Sequence, residues 1–154
     1  MEAYLIATAC TKFEKKADQT FKSLTEEVYC DLLKSAKVEN GNMIGQAWFG
    51  NCGMGTFGQN NIRGQVCFTP LVQKKLFPER VGIINVEGGC ATGSMAFHGA
   101  WKDIISGTED VSLAIGVEKI YQPNQPEKIQ EIYDGGIDQF DRNDWLEFYQ
   151  SIGN

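Results

Sequence analysis

Short apolar runs and longer amphipathic stretches alternate along the first 120 residues of the chain. Four apolar runs have the length of a strand, at residues 4–9, 43–49, 81–86 and 111–117. Predominantly apolar runs of this length, above all the one at 81–86, are typical of strands buried on both faces, as in parallel sheets. Each run is therefore predicted to be a strand of a central sheet.

Three helices are predicted between these strands. The first has one apolar stripe at helical spacing, from Phe21 to Ala36. The second covers residues 61–77, where Pro70 is expected to kink or split it. The third has apolar residues from Phe97 to Ile105 at i, i+3, i+4, i+7 and i+8, with Gly107 at the expected C-terminal cap. The order β-α-β-α-β-α-β predicts an α/β fold with a mostly parallel sheet.

The pattern changes after residue 120. Prolines stand at positions 123 and 126, and acidic residues then mix with aromatic ones to the end. We expect a core at 1–120, and at 121–154 a loop or an additional lid-like segment rather than another βα unit.

Composition excludes several classes of protein. The chain has 154 residues, of which 42% are hydrophobic, and a net charge of −6. These values are typical of one globular domain. No basic stretch suits nucleic acid, and no apolar run of 18 residues or secretory signal is present, so no membrane span is expected. Five cysteines without a CxxC pair indicate a reducing compartment, the cytoplasm, and with one histidine predict no metal site.

Cys90 carries the strongest chemical signal. It lies in Glu87-Gly-Gly-Cys-Ala-Thr-Gly-Ser94, between a predicted strand and a predicted helix. Free N–H groups at a helix start favour a thiolate, and the glycines allow a substrate to approach the backbone. Cys90 is therefore a candidate nucleophile, with a backbone N–H as oxyanion donor. The alternative is a small cysteine buried in a tight turn.

A nucleophilic cysteine needs a base, and the sequence offers none nearby. The only histidine, His98, follows Cys90 by eight helical residues, or roughly 12 Å along the axis. Glu87 is close in sequence, but a neighbouring carboxylate disfavours a thiolate. The base is therefore expected to come from residues outside these 154.

A second motif competes with the cysteine. Residues 53–58 read Gly-Met-Gly-Thr-Phe-Gly, which matches the dinucleotide fingerprint GxGxxG, with Glu79 about 20 residues further on. The context is poor, because Asn51 and Cys52 separate the motif from its strand. The small apolar residues that pack such a helix on the sheet are also missing. A flexible glycine-rich loop is the alternative.

Several segments together resemble the N-terminal half of thiolases. They are residues 58–65 (GQNNIRGQ), 85–96 (NVEGGCATGSMA), 105–107 (ISG) and 110–120 (DVSLAIGVEKI). CATGS and GVEKI look most like the sterol-carrier-protein-x-type branch, which includes thiolases acting on bulky or aromatic acyl-CoAs and is similar to acetyl-CoA acetyltransferases. The resemblance covers about residues 3–120, and it implies that residues 121–154 are the beginning of the family's cover segment.

The resemblance implies a layered α/β thiolase fold made of two similar halves, of which this chain is the N-terminal one and is incomplete without the other. It implies that Cys90 takes the acyl group from an acyl-CoA, with coenzyme A as co-substrate and no tightly bound cofactor. The family's histidines and second cysteine belong to the C-terminal half. Related sequences often have asparagines where this one has Glu87, Gly88 and Gly89, which are therefore candidate substrate-binding residues for an unusual acyl group.

Three functions remain open from the sequence. The first is thiolase-type cleavage of a 3-oxoacyl-CoA by CoA, in a homodimer or a hetero-oligomer that supplies the rest of the fold. The second is a non-catalytic acyl-CoA-binding or assembly subunit, suggested by the missing base. The third, ranked below both, is an NAD-dependent oxidoreductase based on the glycine motif.

Overall fold

A computed structural model of the chain describes residues 2–153. Its regular elements are α1 (Phe21–Ala36), β1 (Gln46–Gly50), α2 (Arg63–Gln73), β2 (Gly82–Val86), α3 (Thr92–Ser106), β3 (Ser112–Gly116), α4 (Glu127–Asp134) and α5 (Arg142–Ile152). Single 3₁₀ turns at Gly53–Phe57 and Gly89–Ala91 follow β1 and β2. The α/β class and the parallel sheet predicted from the sequence are confirmed.

The sheet has the strand order β2-β1-β3, and both pairings are parallel. Gln46 at the start of β1 is in register with Gly82 of β2 and Ser112 of β3. The carboxyl ends of all three strands therefore lie side by side, and the residues that follow them come together there. Ligands of open α/β sheets bind at the carboxyl ends of the strands.

The pleat of β1 directs its side chains to two different helical layers. Ala47 and Phe49 are fully buried on the face covered by α1 and α2, where they join Tyr29, Phe68 and Leu71 in the main core. Trp48 points to the opposite face and packs on α3, and its indole N–H donates to a carboxylate oxygen of Asp103 at 2.7 Å. Helices on both faces explain why the central strand is apolar throughout.

The predicted strand at 4–9 is wrong. In the part of the chain that the structure describes, this segment joins no sheet, and Tyr4, Leu5 and Ile6 are each at least 70% exposed. Residues 3–14 and residues 111–121, which include β3 at the free edge of the sheet, both line an apolar groove of about 890 Å³. The apolar pattern of a strand is present at 4–9, but the segment does not pair with β3.

Two further predictions need correction. The strand at 81–86 is confirmed as β2, but it lies at the edge of the sheet and alternates between exposed and half-buried positions instead of being buried on both faces. The second helix is not split at Pro70; it continues to Gln73 and ends there. The chain then turns back, and the N–H groups of Leu76 and Phe77 both donate to the Leu71 carbonyl.

Among residues 121–153, the structure has helices and no strand. α4 packs against the 3₁₀ turn after β1, with Ile132 close to Gly53. α5 leaves much apolar surface open, including Phe148 and Ile152. The division into a core at 1–120 and a cover at 121–154 stays a prediction. None of the described helices is both long and apolar enough to cross a bilayer.

Candidate nucleophilic site

Cys90 lies in the middle of the 3₁₀ turn that joins β2 to α3. The turn occupies three residues, Gly89–Ala91, and α3 begins directly after it at Thr92. The Cys90 side chain is exposed to solvent. A cysteine buried in a tight turn, the alternative left open by the sequence, is therefore wrong, and the sulfur is accessible to a reactant.

Thr92 holds the two glycines before Cys90 in place. Its hydroxyl oxygen accepts the Gly88 N–H at 2.9 Å and its O–H donates to the Gly89 carbonyl at 2.8 Å. Gly89 has a φ of +56°, in the left-handed region that other residues rarely adopt. At Gly88, an added Cβ would lie 2.2 Å from the Met95 sulfur. Both glycines therefore suit the turn that presents Cys90.

Glu87 bonds to the same turn. Its Oε1 accepts the Gly89 N–H at 2.6 Å and lies 3.6 Å from the Cys52 sulfur, whose S–H donates to it. The N–H of Ala91 is also engaged, with the Gly88 carbonyl at 3.0 Å. The N–H groups of Gly89 and Ala91 are thus both bonded, so the candidate oxyanion donor in this turn is the N–H of Cys90.

Asn51 links the ends of all three strands, and the sequence reasoning missed it. The residue is 1% exposed, and its side-chain amide donates to the Val117 carbonyl at 2.7 Å and accepts the Met54 N–H at 2.9 Å. Its own N–H donates to Val86 at 3.3 Å. A polar residue directly after an apolar strand was the available signal. Asn51 therefore holds the loop after β1 to the ends of β2 and β3.

Comparison with known proteins decides the family. The family model for the thiolase N-terminal domain matches residues 3–144 of this chain. The chain belongs to the thiolase family. The proposed resemblance is thus confirmed, and the fold is that of a thiolase N-terminal domain.

The matches to two curated relatives cover only part of those proteins. It is 32% identical to the benzoylsuccinyl-CoA thiolase subunit BbsB of Thauera aromatica, over 76% of this chain and 28% of that protein. It is 31% identical to an acetyl-CoA acetyltransferase of Methanocaldococcus jannaschii, over 75% of this chain and 28% of the relative. The chain spans less than a third of the length of these relatives.

Glu118 connects the end of β3 to the loop that follows β1. Its carboxylate accepts the N–H groups of Cys52 and Gly53, the latter at 3.1 and 3.2 Å. Much of the residue is exposed, but loss of water around the carboxylate raises its pKa, while these two backbone donors partly lower it. Burial, followed by the charge of Glu87, likewise raises the pKa of the Cys52 thiol, which favours its protonated, hydrogen-bond-donating form.

His98 is not brought to the cysteine. It is exposed on α3, and its ring stacks at a tilt on Trp101 with 5.3 Å between the centroids. Residues 2–153 contain no cluster of three or more metal-ligating side chains. His98 is therefore not a candidate for the acid or the base of a thiolase reaction at Cys90.

The glycine motif at 53–58 does not form a dinucleotide site. It folds as a 3₁₀ turn, and α2 begins only at Arg63, five residues after the last glycine. The N–H groups at the start of the turn are bound by the Glu118 carboxylate, where a dinucleotide would place its pyrophosphate. An anion would meet an occupied, negatively charged position, so the geometry does not support an NAD-dependent oxidoreductase.

Proposed function

We propose that this chain carries the acyl-accepting cysteine of a thiolase-type acyltransferase that cleaves a 3-oxoacyl-CoA with free CoA. The observation that carries the proposal is the exposed Cys90 in the turn between a parallel strand and the start of α3. Backbone N–H groups at a helix start favour negative charge at such a position. Membership of the thiolase family supports the same reaction type.

The reaction would run in two transfers through Cys90. Its thiolate attacks the 3-keto carbon and forms a C–S bond, with the Cys90 N–H stabilising the oxyanion. The bond between C2 and C3 then breaks, its electron pair stays on C2, and an acid protonates C2 to release acetyl-CoA. The sulfur of a deprotonated CoA attacks the acyl-cysteine thioester, which yields the shortened acyl-CoA and restores the Cys90 thiolate.

The remaining acid and base are proposed to come from a second half of the thiolase fold, in more chain or a partner subunit. Two observations support this. The apolar groove of about 890 Å³ lined by residues 3–14 and by the edge strand β3 needs an apolar partner, since a bare strand edge invites pairing. On α3, Phe97 and Trp101 also expose apolar surface, at 56% and 43%. We propose a homodimer or a hetero-oligomer as the native assembly, which these uncovered apolar surfaces support.

For the substrate, we propose an acyl group that is bulky or aromatic. An added Cβ at Gly89 would meet no atom within 4 Å, so the backbone beside Cys90 faces open space. Glu87, Gly88 and Gly89 would border the acyl group there. One relative is named as a thiolase for benzoylsuccinyl-CoA, an aromatic substrate, which supports the same class.

The test is thiolysis of 3-oxoacyl-CoA substrates by the protein in its native assembly, comparing wild type with Cys90→Ser. Cys10→Ser is the matched control, because Cys10 is also an exposed free cysteine but lies in the N-terminal segment. We expect CoA-dependent cleavage that Cys90→Ser abolishes and Cys10→Ser leaves unchanged. Equal activity of wild type and Cys90→Ser would contradict the proposal.

A second candidate function is a non-catalytic acyl-CoA-binding or assembly subunit. The observation that favours it is the position of His98, which is stacked on Trp101 and leaves Cys90 without a base of this chain. It predicts that the native assembly binds acyl-CoA and loses no thiolysis activity when Cys90 is replaced. Loss of activity in Cys90→Ser would exclude it.

A further inference from the structure

Glu87 and Cys52 lie side by side at the ends of neighbouring parallel strands. Gly50, the last residue of β1, is in register with Val86, the last residue of β2. Glu87 follows β2 by one residue and Cys52 follows β1 by two. The register therefore brings a carboxylate and a thiol together directly beneath the turn that carries Cys90, with 3.6 Å between sulfur and oxygen.

One carboxylate oxygen of Glu87 accepts hydrogen bonds from both the loop after β1 and the loop after β2. The same Oε1 that accepts the Cys52 S–H accepts the Gly89 N–H at 2.6 Å, a distance typical of a strong, charge-assisted bond. Gly89 precedes the proposed nucleophile and holds a left-handed φ of +56°. Because glycine is the most mobile residue of a backbone, this conformation depends on the bonds that hold its N–H and C=O.

We propose that Glu87 is a positioning residue for Cys90, and that the Cys52 thiol orients it by donating to the carboxylate oxygen that holds the Gly89 N–H. Thr92 fixes the carbonyl of Gly89 and the N–H of Gly88. The Gly88 carbonyl accepts the Ala91 N–H, and Glu87 holds the last of the four backbone polar groups of the two glycines, the Gly89 N–H. With both held, the Cys90 sulfur and the Cys90 N–H keep a fixed direction relative to the start of α3.

Cys52 is suited to this role because its thiol keeps its proton and can donate it in a hydrogen bond. Burial and the nearby Glu87 charge raise the pKa of the Cys52 thiol, so Cys52 is a hydrogen-bond donor around neutral pH. Glu87 lines the candidate acyl pocket in our proposed function. A positioning role assigns it a separate effect, on the rate of acyl transfer rather than on substrate affinity.

Amide hydrogen exchange of Gly89, measured by NMR, tests the geometric part without turnover. Glu87→Ala should speed Gly89 exchange about tenfold or more, since bonds to charged groups contribute about 1.5–3 kcal/mol. Glu87→Gln retains an amide oxygen in the same place and should largely restore protection. Cys52→Ala should weaken protection and Cys52→Ser preserve it. The matched control is Glu79→Ala at an exposed acid after α2, with no change expected.

Kinetics of the native assembly test the effect on Cys90, which rests on the proposed function. Glu87→Ala should lower kcat about tenfold, with recovery in Glu87→Gln, and any lost contact with the acyl group should appear in KM in addition. Unchanged Gly89 exchange in Glu87→Ala overturns the proposal, as does a change in KM alone. Because exchange needs no turnover, absence of thiolysis in wild type would refute the proposed function while the exchange data still decide the bonding of Glu87.

Discussion

Replacing Asn51 by Ala should destabilise the protein strongly, because this side chain links the strand ends beneath the site. Asn51 is 1% exposed, and the change removes the partners of two groups, the Val117 carbonyl and the Met54 N–H. A buried polar group without a partner costs about 1–3 kcal/mol, so the two together cost about 2–6 kcal/mol. Water entering the vacated space recovers part of this, so we expect a loss of about 2–4 kcal/mol.

Urea unfolding followed by tryptophan fluorescence measures this loss. With a slope of about 2 kcal/mol per molar urea, a loss of about 2–4 kcal/mol should lower the midpoint by about 1–2 M. Asn51→Asp should also destabilise, because a carboxylate keeps an acceptor for Met54 but has no donor for the Val117 carbonyl. Asn61→Ala is the matched control, at an exposed loop position. A loss below about 0.5 kcal/mol in Asn51→Ala, equal to that of a neutral surface change, would refute the reasoning.

Two further changes test the packing and the electrostatics. Gly99→Ala should destabilise the protein by about 1–3 kcal/mol in the same unfolding assay, because the new Cβ would lie 2.3 Å from the Trp48 ring. Gly93→Ala is the control and should be neutral or slightly stabilising, because its Cβ would meet no atom within 4 Å. Equal effects of the two changes would contradict the packing of α3 on β1. Because the pKa of Glu118 is raised in the folded protein, the folded state binds this proton more tightly, and its contribution to stability falls as pH rises from the ordinary value of 4.5 through the raised one. Glu118→Gln should therefore gain stability relative to wild type over that pH range, and an opposite trend would show that the two backbone N–H donors outweigh the loss of water.

The sequence was sufficient to predict the elements whose partners lie within the chain. The stripe from Phe21 to Ala36 gives α1 with the same bounds, and Gly107 caps α3 with a φ of +73°. Three of the four predicted strands form the sheet, and the turn carrying Cys90 lies between β2 and α3. In each of these, local periodicity agrees with burial against a neighbour in the same chain.

The predictions that failed depend on neighbours that a local pattern does not reveal. Residues 4–9 have the pattern of a strand, but a strand also needs a partner, and here the segment lines a groove together with β3 without pairing with it. The contacts of Glu87 with Cys52 and Gly89 join residues 35 and 2 positions away, and they follow from the strand register rather than from any motif. Asn51 was missed for the same reason, since its partner Val117 lies 66 residues away.

The most direct test of the central claim is the mass of Cys90 after reaction with an acyl-CoA. The native assembly is incubated with the substrate it cleaves, quenched in acid, digested and analysed by mass spectrometry. We predict an acyl group on the peptide containing Cys90, which disappears when free CoA is added and is absent in Cys90→Ser. Turnover without an acyl group on Cys90, or with one on another cysteine instead, would contradict acyl transfer through Cys90.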